Sequence, residues 1–253
     1  MVFLLYIWFM ENDTLIFGIR AIKEAIEANK SIDKVYVQKG LRGHLIKELE
    51  QSLRSSGINT VYVPIEKLNR LSSKNHQGVI AHIAPVKFYD LEELVESVLN
   101  SRDTPLFLLL DQITDVRNFG AIIRTAECCG VHGIIIQKSG NAPINGDTIK
   151  TSAGAVFNIP ICRVDHIKDA LFLLQASGIK IIAATEKSRE SVFDVSLKGP
   201  CAIIMGSEGR GINPSVLKLA NEKVKLPIYG EIDSLNVSVA CGVFLYEAVR
   251  QRL

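Results

Sequence analysis

The sequence has few cysteines, and none of them belongs to a C-x-x-C pair. Their number is odd, and no cluster of His and Cys has the spacing of a zinc site. We therefore expect neither a disulfide framework nor a metal site. The cysteines are interpreted as reduced thiols in the core: Cys128, Cys129, Cys162, Cys201 and Cys241.

A long hydrophobic run is also missing. A membrane helix needs about 20 apolar residues, whereas the apolar N-terminal stretch MVFLLYIWFM ends at residue 10 and has no basic region or cleavage site of a signal peptide. We expect a cytoplasmic protein without a membrane segment. Our hypothesis is that Met10 is the natural start and that residues 1–9 are an upstream extension, within an N-terminal extension over residues 1–13 that precedes the first domain. A short strand or helix docked on the core is the alternative. The N-terminal mass of protein from its native host distinguishes the two.

The formal net charge of +2 is too small to indicate a nucleic-acid-binding protein by itself. The distribution of charge is more informative. Residues 14–88 hold 12 Lys or Arg and 6 Asp or Glu, a net charge of +6, whereas residues 89–253 hold 17 and 19, a net charge of −2. The positive charge therefore belongs to the N-terminal third.

The N-terminal third has the pattern of a small α/β unit. Apolar residues at helical spacing precede strand-like KVYV (34–37), and a second helical stretch leads to TVYV (60–63) and GVIAHI (78–83). We predict a domain over residues 14–84. Pro85 and the polar SRDTP (101–105) flank one short helix, LEELVESVL (91–99), and mark residues 85–105 as a linker.

Residues 106–253 alternate apolar runs with helical stretches. LFLLLD (106–111) is typical of a strand buried on both faces of a parallel sheet. Similar runs and helical stretches follow: strands at 133–137, 159–164, 179–185, 201–205 and 224–228, and helices at 119–129, 166–177 and 237–252. This alternation predicts a doubly wound α/β domain with a parallel sheet.

Ligands of such sheets bind beyond the carboxyl ends of the strands, so we examined the segments that follow the runs. After 106–111 come Asn118, Gly120 and Arg124. Asn118 is equally suited to cap the next helix, and Arg124 to pair with Glu127 on its surface. Arg124 is the only charge between Phe119 and Ala126, where an unpaired arginine is costly unless it faces a ligand.

The strand at 201–205 leads into GSEGRG (206–211), whose three glycines allow a close approach of the backbone to a ligand. A phosphate cradle is disfavoured because Glu208 repels phosphate and the spacing fits neither known phosphate loop. A tight turn without a ligand is the structural alternative. Asn213 and Pro214 provide an N-cap and a first residue for the next helix.

A third polar segment, SLNVS (234–238), lies at the start of the C-terminal helix. Ser234 and Asn236 offer helix caps and hydrogen-bonding groups there. The small residues Ala240, Cys241 and Gly242 allow another backbone to pack closely. An ordinary capped helix is the alternative interpretation.

In this order, the three segments resemble the signature motifs of the SpoU/TrmH branch of the knotted (SPOUT) RNA methyltransferases. N-x-G-x-x-x-R is met by Asn118, Gly120 and Arg124, and S-L-N-V-S by residues 234–238. G-x-E-G-x-G is met by residues 206–211, and the N-terminal unit is similar to the family's ribosomal-protein-like substrate-binding domain. Val116 departs from the pattern, since many relatives have proline there.

The resemblance implies an S-adenosylmethionine-dependent RNA 2′-O-ribose methyltransferase with a C-terminal trefoil knot. It also implies a homodimer packed partly through the last helix, and chemistry that requires no metal. The implied cofactor-binding residues are Met205, Gly206, Leu226, Ile228, Ser234 and Leu235. The implied catalytic residues are Arg124, Asn118, Glu208 and Asn236. Arg124 would hold a phosphate beside the target ribose and not act as a base, because a guanidinium keeps its proton.

The implied partner is RNA, with a guanosine of 23S rRNA as the favoured target because the tRNA branch usually lacks the N-terminal domain. Candidate phosphate contacts are Arg20, Lys23, Lys39, Arg42 and Lys74, each of which could equally be a solvated surface charge. A tRNA ribose methyltransferase is the alternative within this chemistry. A non-catalytic RNA-binding or antibiotic-resistance-like module and a Rossmann-like nucleotide-binding protein are the alternatives outside it.

Overall fold

The computed structural model describes residues 15–27, 30–83 and 86–253. Residues 1–14, and with them the hypothesis about Met10, lie outside the described residues. The chain divides into two compact units. The first runs to Lys87 and includes Ile144–Gly146, and the second comprises Phe88–Pro143 and Asp147–Leu253.

The first unit is a four-stranded mixed sheet with helices on both faces. The strand order is β1-β4-β2-β3, with β2 and β3 parallel and the other pairs antiparallel. Buried residues of α1 and α2, including Ile22 and Leu49, pack on one face, and Leu68 of α3 packs on the other. Its elements are β1 (Leu15–Phe17), α1 (Ile19–Glu27), β2 (Ile32–Gln38), α2 (His44–Ser55), β3 (Thr60–Val63), α3 (Ile65–Leu71) and β4 (Val79–Ile83).

The second unit contains a six-stranded sheet in which every pair is parallel, in the order β10-β8-β9-β5-β6-β7. The predicted α/β class with a parallel sheet is confirmed. Its strands are β5 (Leu106–Asp111), β6 (Gly133–Gln137), β7 (Ile161–Val164), β8 (Lys180–Ala184), β9 (Cys201–Gly206) and β10 (Glu222–Val224). Its helices are α4 (Leu91–Leu99), α5 (Val116–Cys128), α6 (Gly146–Thr151), α7 (Ile167–Ala176), α8 (Pro214–Leu217) and α9 (Val237–Arg252), with 3₁₀ turns at Ala155–Phe157 and Val192–Asp194.

Helices cover both faces of this sheet. Apolar residues of α4, α7 and α8 share one core with alternate residues of the strands, such as Leu109 and Ile204, and α9 packs against α5 and β9 on the other face. All six residues of β5 are buried. A strand between two helical layers needs apolar side chains at successive positions, which explains the continuous run in the sequence.

Two local expectations are wrong. The strand predicted at residues 224–228 ends at Val224, because Pro227 has no N–H for a strand ladder and the backbone N–H of Lys225 bonds to Glu190. Helix α5 is expected at 119–129 with Asn118 as a candidate cap. It begins at Val116, and its cap is Asp115, whose Oδ1 accepts from the backbone N of Asn118 at 2.8 Å. Val116 occupies the first helical position, where proline is favoured but not required.

Candidate active site

The carboxyl ends of β5 and β9 lie side by side, with Asp111 opposite Gly206. Asp111 is buried, and its Oδ2 accepts a hydrogen bond from the backbone N of Asn213 at 2.8 Å. Burial raises the pKa of this carboxyl group, and the bond from Asn213 opposes that shift. The contact ties the loop after β9 to the end of β5.

One residue from each of the three sequence motifs meets at this edge of the sheet. The side-chain Nδ2 atoms of Asn118 and Asn236 both donate to Oε1 of Glu208, each at 2.9 Å. Nδ2 of Asn236 also donates to Oδ1 of Asn118 at 3.0 Å. We call these three residues the polar triangle. It joins segments that lie up to 118 residues apart in the chain.

The start of α9 fixes the orientation of the Asn236 amide. Its Oδ1 caps the helix by accepting from the backbone N–H groups of Ser238 at 2.9 Å and Val239 at 3.4 Å. Because the oxygen faces the helix, the amide nitrogen faces Glu208 and Asn118. The expected cap at Asn236 is therefore confirmed, and the same side chain contributes to the polar triangle.

A cavity of about 250 Å³ adjoins the polar triangle. All six residues that the resemblance implied for the cofactor line it: Met205, Gly206, Leu226, Ile228, Ser234 and Leu235. Glu208 and Asn236 are also in its wall. The segment after β10 thus contributes Leu226 and Ile228 as loop residues.

The sequence analysis missed part of this cavity. Ala184, Thr185 and Glu186 line it from the end of β8, and Lys225 and Phe244 also contribute to its wall. The residues at the end of β8 could have been predicted from the sequence, because 179–185 is an apolar run like those that precede the motifs. Its carboxyl end lies at the same edge of the sheet. Residues 184–186 contain neither the glycines nor the asparagine that mark the three motifs.

The charges of the cavity fit a cofactor that carries positive charge and has no phosphate. The wall of the cavity contains three carboxylates, Glu186, Glu208 and Asp233, and one cation, Lys225. Apolar side chains such as Met205 and Leu235 offer surface for a flat ring. Such an environment favours a sulfonium and disfavours a phosphate. Within residues 15–27, 30–83 and 86–253, no three His, Cys, Asp or Glu residues cluster in a way that could hold a metal ion.

Gly206 is required by its own loop. A Cβ atom at this position would collide with the backbone of Gly211 and Ile212, because the loop folds back through a bond from the N of Gly211 to the O of Ser207 at 2.8 Å. The expectation that this glycine serves close approach to a ligand is therefore incomplete. Gly120 likewise has no room for a Cβ, because Thr151 lies against it.

Arg124 lies on the exposed side of α5 and does not line the cavity of about 250 Å³. The argument that an unpaired arginine is costly here is wrong, since its side chain is solvated. The alternative surface pair is not found either, because no ion pair joins Arg124 and Glu127 among the ion pairs of the described residues. A catalytic role of Arg124 stays a prediction.

The five candidate RNA contacts lie in the first unit in different settings. Arg20, Lys39 and Arg42 are exposed. Lys23 forms an ion pair with Glu48 at 2.6 Å. The ammonium of Lys74 lies 5.3 Å from the ring centre of Phe17. Lys39 and Arg42 both belong to the turn between β2 and α2.

Comparison with known proteins tests the resemblance. Residues 105–246 match the SpoU rRNA Methylase family, and residues 15–89 match the family described as RNA 2'-O ribose methyltransferase substrate binding. The chain belongs to the SpoU rRNA methylase family. The resemblance drawn from the three motifs is confirmed. In the residues that the structure describes, no helix is long and apolar enough to cross a membrane.

Members of the SpoU family match nearly the whole chain. The 23S rRNA (guanosine-2'-O-)-methyltransferase RlmB of Vibrio parahaemolyticus is 34% identical over 246 residues, which is 96% of this chain and 99% of that protein. The SpoU methyltransferase AviRb of Streptomyces viridochromogenes, solved with the cofactor AdoMet, has a TM-score of 0.59 at 27% identity and covers 94% of this chain and 90% of its own. The A. aeolicus TrmH/SpoU tRNA modifying enzyme is 32% identical with a TM-score of 0.55, but covers 64% of this chain and 82% of its own.

Proposed function

We propose that the protein transfers a methyl group from S-adenosylmethionine to a ribose 2′-hydroxyl of RNA, and that its target is a guanosine of 23S rRNA. The observation that carries the proposal is the polar triangle, which joins one residue of each SpoU motif and borders a cavity rich in carboxylates through Glu208 and Asn236. The near-complete coverage of an RlmB relative supports the rRNA target. An enzyme with this substrate works in the cytoplasm.

S-adenosylmethionine supplies an electrophilic methyl group when it is bound. Backbone and apolar side chains of Met205, Leu226 and Ile228 would hold it, with Gly206, Ser234 and Leu235 completing the wall. The carboxylates Glu186, Glu208 and Asp233 compensate positive charge. The bond from Asn213 to Asp111 holds the loop after β9 in place before binding, which lowers the conformational entropy that this loop loses on binding.

The chain's own residues then have to orient the acceptor. Asn118 and Asn236 use one oxygen of Glu208, which leaves the other carboxylate oxygen without a hydrogen bond from a described residue. That oxygen can accept a bond from a ribose hydroxyl and orient it. Arg124, planar and permanently charged, would clamp a neighbouring phosphate and stabilise negative charge as the hydroxyl proton departs.

The division of labour that we propose follows the predicted domains. Residues 14–84 bind RNA, and residues 106–253 carry the knotted methyltransferase domain. Residues 85–105 connect the two, with α4 of this segment packed in the core of the second unit. The family match at residues 15–89 supports RNA substrate binding by the first unit. The exposed cations Arg20, Lys39 and Arg42 supply its affinity for phosphates.

We also propose that the protein acts as a homodimer packed through α9. Val239, Val243 and Tyr246 follow one another at helical spacing and are 53%, 36% and 56% exposed, with Phe193, 50% exposed, beside them. Val243→Arg places a charge in this apolar face and should shift the protein from dimer to monomer in analytical ultracentrifugation. A monomeric wild-type protein at micromolar concentration would rule the dimer out.

The central experiment is to map 2′-O-methyl groups on total RNA from a strain with and without the gene. We expect one guanosine of 23S rRNA to lose its methyl group, and the purified protein to transfer tritium from labelled S-adenosylmethionine to unmodified 23S rRNA. Loss of a methyl group from tRNA alone would favour the tRNA alternative. That alternative is less supported, because the A. aeolicus tRNA enzyme covers only 64% of this chain. Unchanged methylation of all RNA would favour a non-catalytic module.

A further inference from the structure

A second cavity, of about 470 Å³, lies on the other side of the Glu208 loop. It shares Ser207, Glu208 and Val237 with the cofactor cavity. Gln112, Thr114 and Asp115 line it from the β5–α5 loop, and Gly209 and Arg210 line it from the glycine-rich loop. Its volume falls in the range of about 300–1,000 Å³ that is usual for small-ligand sites. Asn118 of the polar triangle also lines it.

Two carboxylates, Asp115 and Glu208, and one arginine, Arg210, line this cavity. Arg210 is exposed, and its guanidinium takes part in no hydrogen bond or ion pair among the described residues. An arginine held by a short loop at the wall of a cavity, without a carboxylate partner, is available to an anion. Phosphate is the anion that matches its planar fork of donors.

The shared wall limits what can occupy this space. An acceptor of the proposed reaction must come within reach of the cofactor cavity, and the second cavity adjoins it through Glu208. The amide and carboxylate groups of Gln112 and Asp115 offer hydrogen-bond partners for a nucleobase edge. Hydrogen-bonding groups for a base on one wall and a free cation on the other are the features of a nucleotide site.

We infer that the second cavity receives the target nucleotide of the RNA and that Arg210 is a positioning residue that binds its adjacent phosphate. The inference rests on the proposed RNA methyltransferase function and goes beyond it by assigning Arg210, Gln112 and Asp115 to the substrate. Arg210 holds the strand, so that the ribose hydroxyl lies against Glu208.

The test compares Arg210→Gln with the wild type and with Arg102→Gln, a matched control. Arg102 is exposed and precedes β5, so it lies at the opposite end of the strands from the site. With unmodified 23S rRNA as substrate, we expect Arg210→Gln to raise the KM for RNA about tenfold and to reduce the slope of log affinity against log salt by about 1. The Kd for S-adenosylmethionine should stay at the wild-type value, and Arg102→Gln should change none of these quantities.

A second variant tests the cavity itself. A Cβ at Gly209 meets no atom within 4 Å, so Gly209→Leu adds volume beside the cavity without disturbing the loop. We expect this variant to bind S-adenosylmethionine normally and to lose most methyl transfer to RNA. The inference would be overturned, and the proposed function left standing, if Arg210→Gln had the RNA KM of the wild type. The same holds if this variant lost as much affinity for S-adenosylmethionine as for RNA. A wild-type protein that methylates no RNA would overturn the proposed function and the inference with it.

Discussion

Asn236 donates its side-chain amide to Oε1 of Glu208 at 2.9 Å, while its own Oδ1 caps α9. One side chain thus has a structural and a positioning contact at once. The two contacts can be separated by substitution, because serine caps helices well but is too short to replace the amide donor.

We expect Asn236→Ser to retain thermal stability and to lose about 10²-fold in turnover through misplacement of Glu208. Asn236→Ala should lose the turnover and also about 1 kcal/mol of stability, the usual value of an N-cap. Asn213→Ala is the matched control, since Asn213 caps α8 and has no contact with Glu208. It should lose stability and keep turnover, as measured by thermal unfolding and by tritium transfer. Full activity of Asn236→Ser would remove the polar triangle from the mechanism.

Arg124 allows a similar separation. Because it is exposed and forms no ion pair in the described part of the chain, Arg124→Ala should leave the melting temperature and the cofactor Kd unchanged. Single-turnover methyl transfer should fall by about 10²-fold or more. Lysine should rescue poorly, because it lacks the planar fork. Glu127→Gln is the control and should be neutral; near-normal rates in Arg124→Ala would make this arginine an ordinary surface residue.

The turn between β2 and α2 should contribute to RNA affinity. Lys39 and Arg42 are exposed there, so the double variant Lys39→Gln/Arg42→Gln should weaken rRNA binding and reduce the salt slope by about 1.5. Lys23→Gln is the comparison, because Lys23 is already paired with Glu48 and should contribute less. Filter binding at several salt concentrations measures both quantities. An unchanged slope in the double variant would place the RNA-binding surface elsewhere.

Asp111 should give a stability effect that depends on pH. Burial raises the pKa of its carboxyl group in the folded state, so the folded protein binds this proton more tightly than the unfolded chain. The contribution of Asp111 to stability is therefore greatest below the unfolded pKa and is lost as pH rises through the folded pKa. Asp111→Asn keeps an oxygen for the N–H of Asn213. We expect the melting temperature of this variant to gain on that of the wild type as the pH rises through the folded pKa of Asp111, and the difference to be smallest below the ordinary pKa of a carboxyl group. A pH-independent difference would contradict this explanation.

Arg252 should be a major contributor to stability despite its place next to the C-terminal residue. Its guanidinium donates to the backbone carbonyls of Thr104, Pro105, Leu197 and Gly199 at 2.8–3.1 Å. These carbonyls precede β5 and β9, so the side chain joins the starts of two neighbouring strands. Arg252→Ala should cost about 2–3 kcal/mol in the free energy of unfolding. The fully exposed Leu253 is the control, and Leu253→Ala should be neutral in denaturant titrations.

The sequence predicts the second unit well where its pattern has a single explanation. β5, β6 and helix α9 have the predicted bounds. For the two strands, a short continuous apolar run bounded by polar residues is typical of a buried strand. The strand at 224–228 could not be predicted correctly from the same criterion. Its apolar residues, Leu226 and Ile228, face the cofactor cavity and not a helix.

The site was predicted in part for the same reason. Asn118, Glu208 and Asn236 belong to contiguous motifs, and each motif is visible in the sequence. Their mutual hydrogen bonds, and the second cavity beside Arg210, depend on which loops lie side by side. That information resides in the strand order, with β9 between β8 and β5, and local periodicity does not contain it.

The same strand order has a consequence for synthesis on the ribosome. β5, β6 and β7 are made in succession and lie side by side, so they can pair as they emerge. Among the described strands, β8 pairs only with β9 and β10, both of which are synthesised after it. Its apolar residues Ile181 and Ile182 therefore wait without a sheet partner until β9 has left the exit tunnel. The nascent chain is most prone to aggregation in that interval, and a translational pause before β9 has emerged would lengthen it.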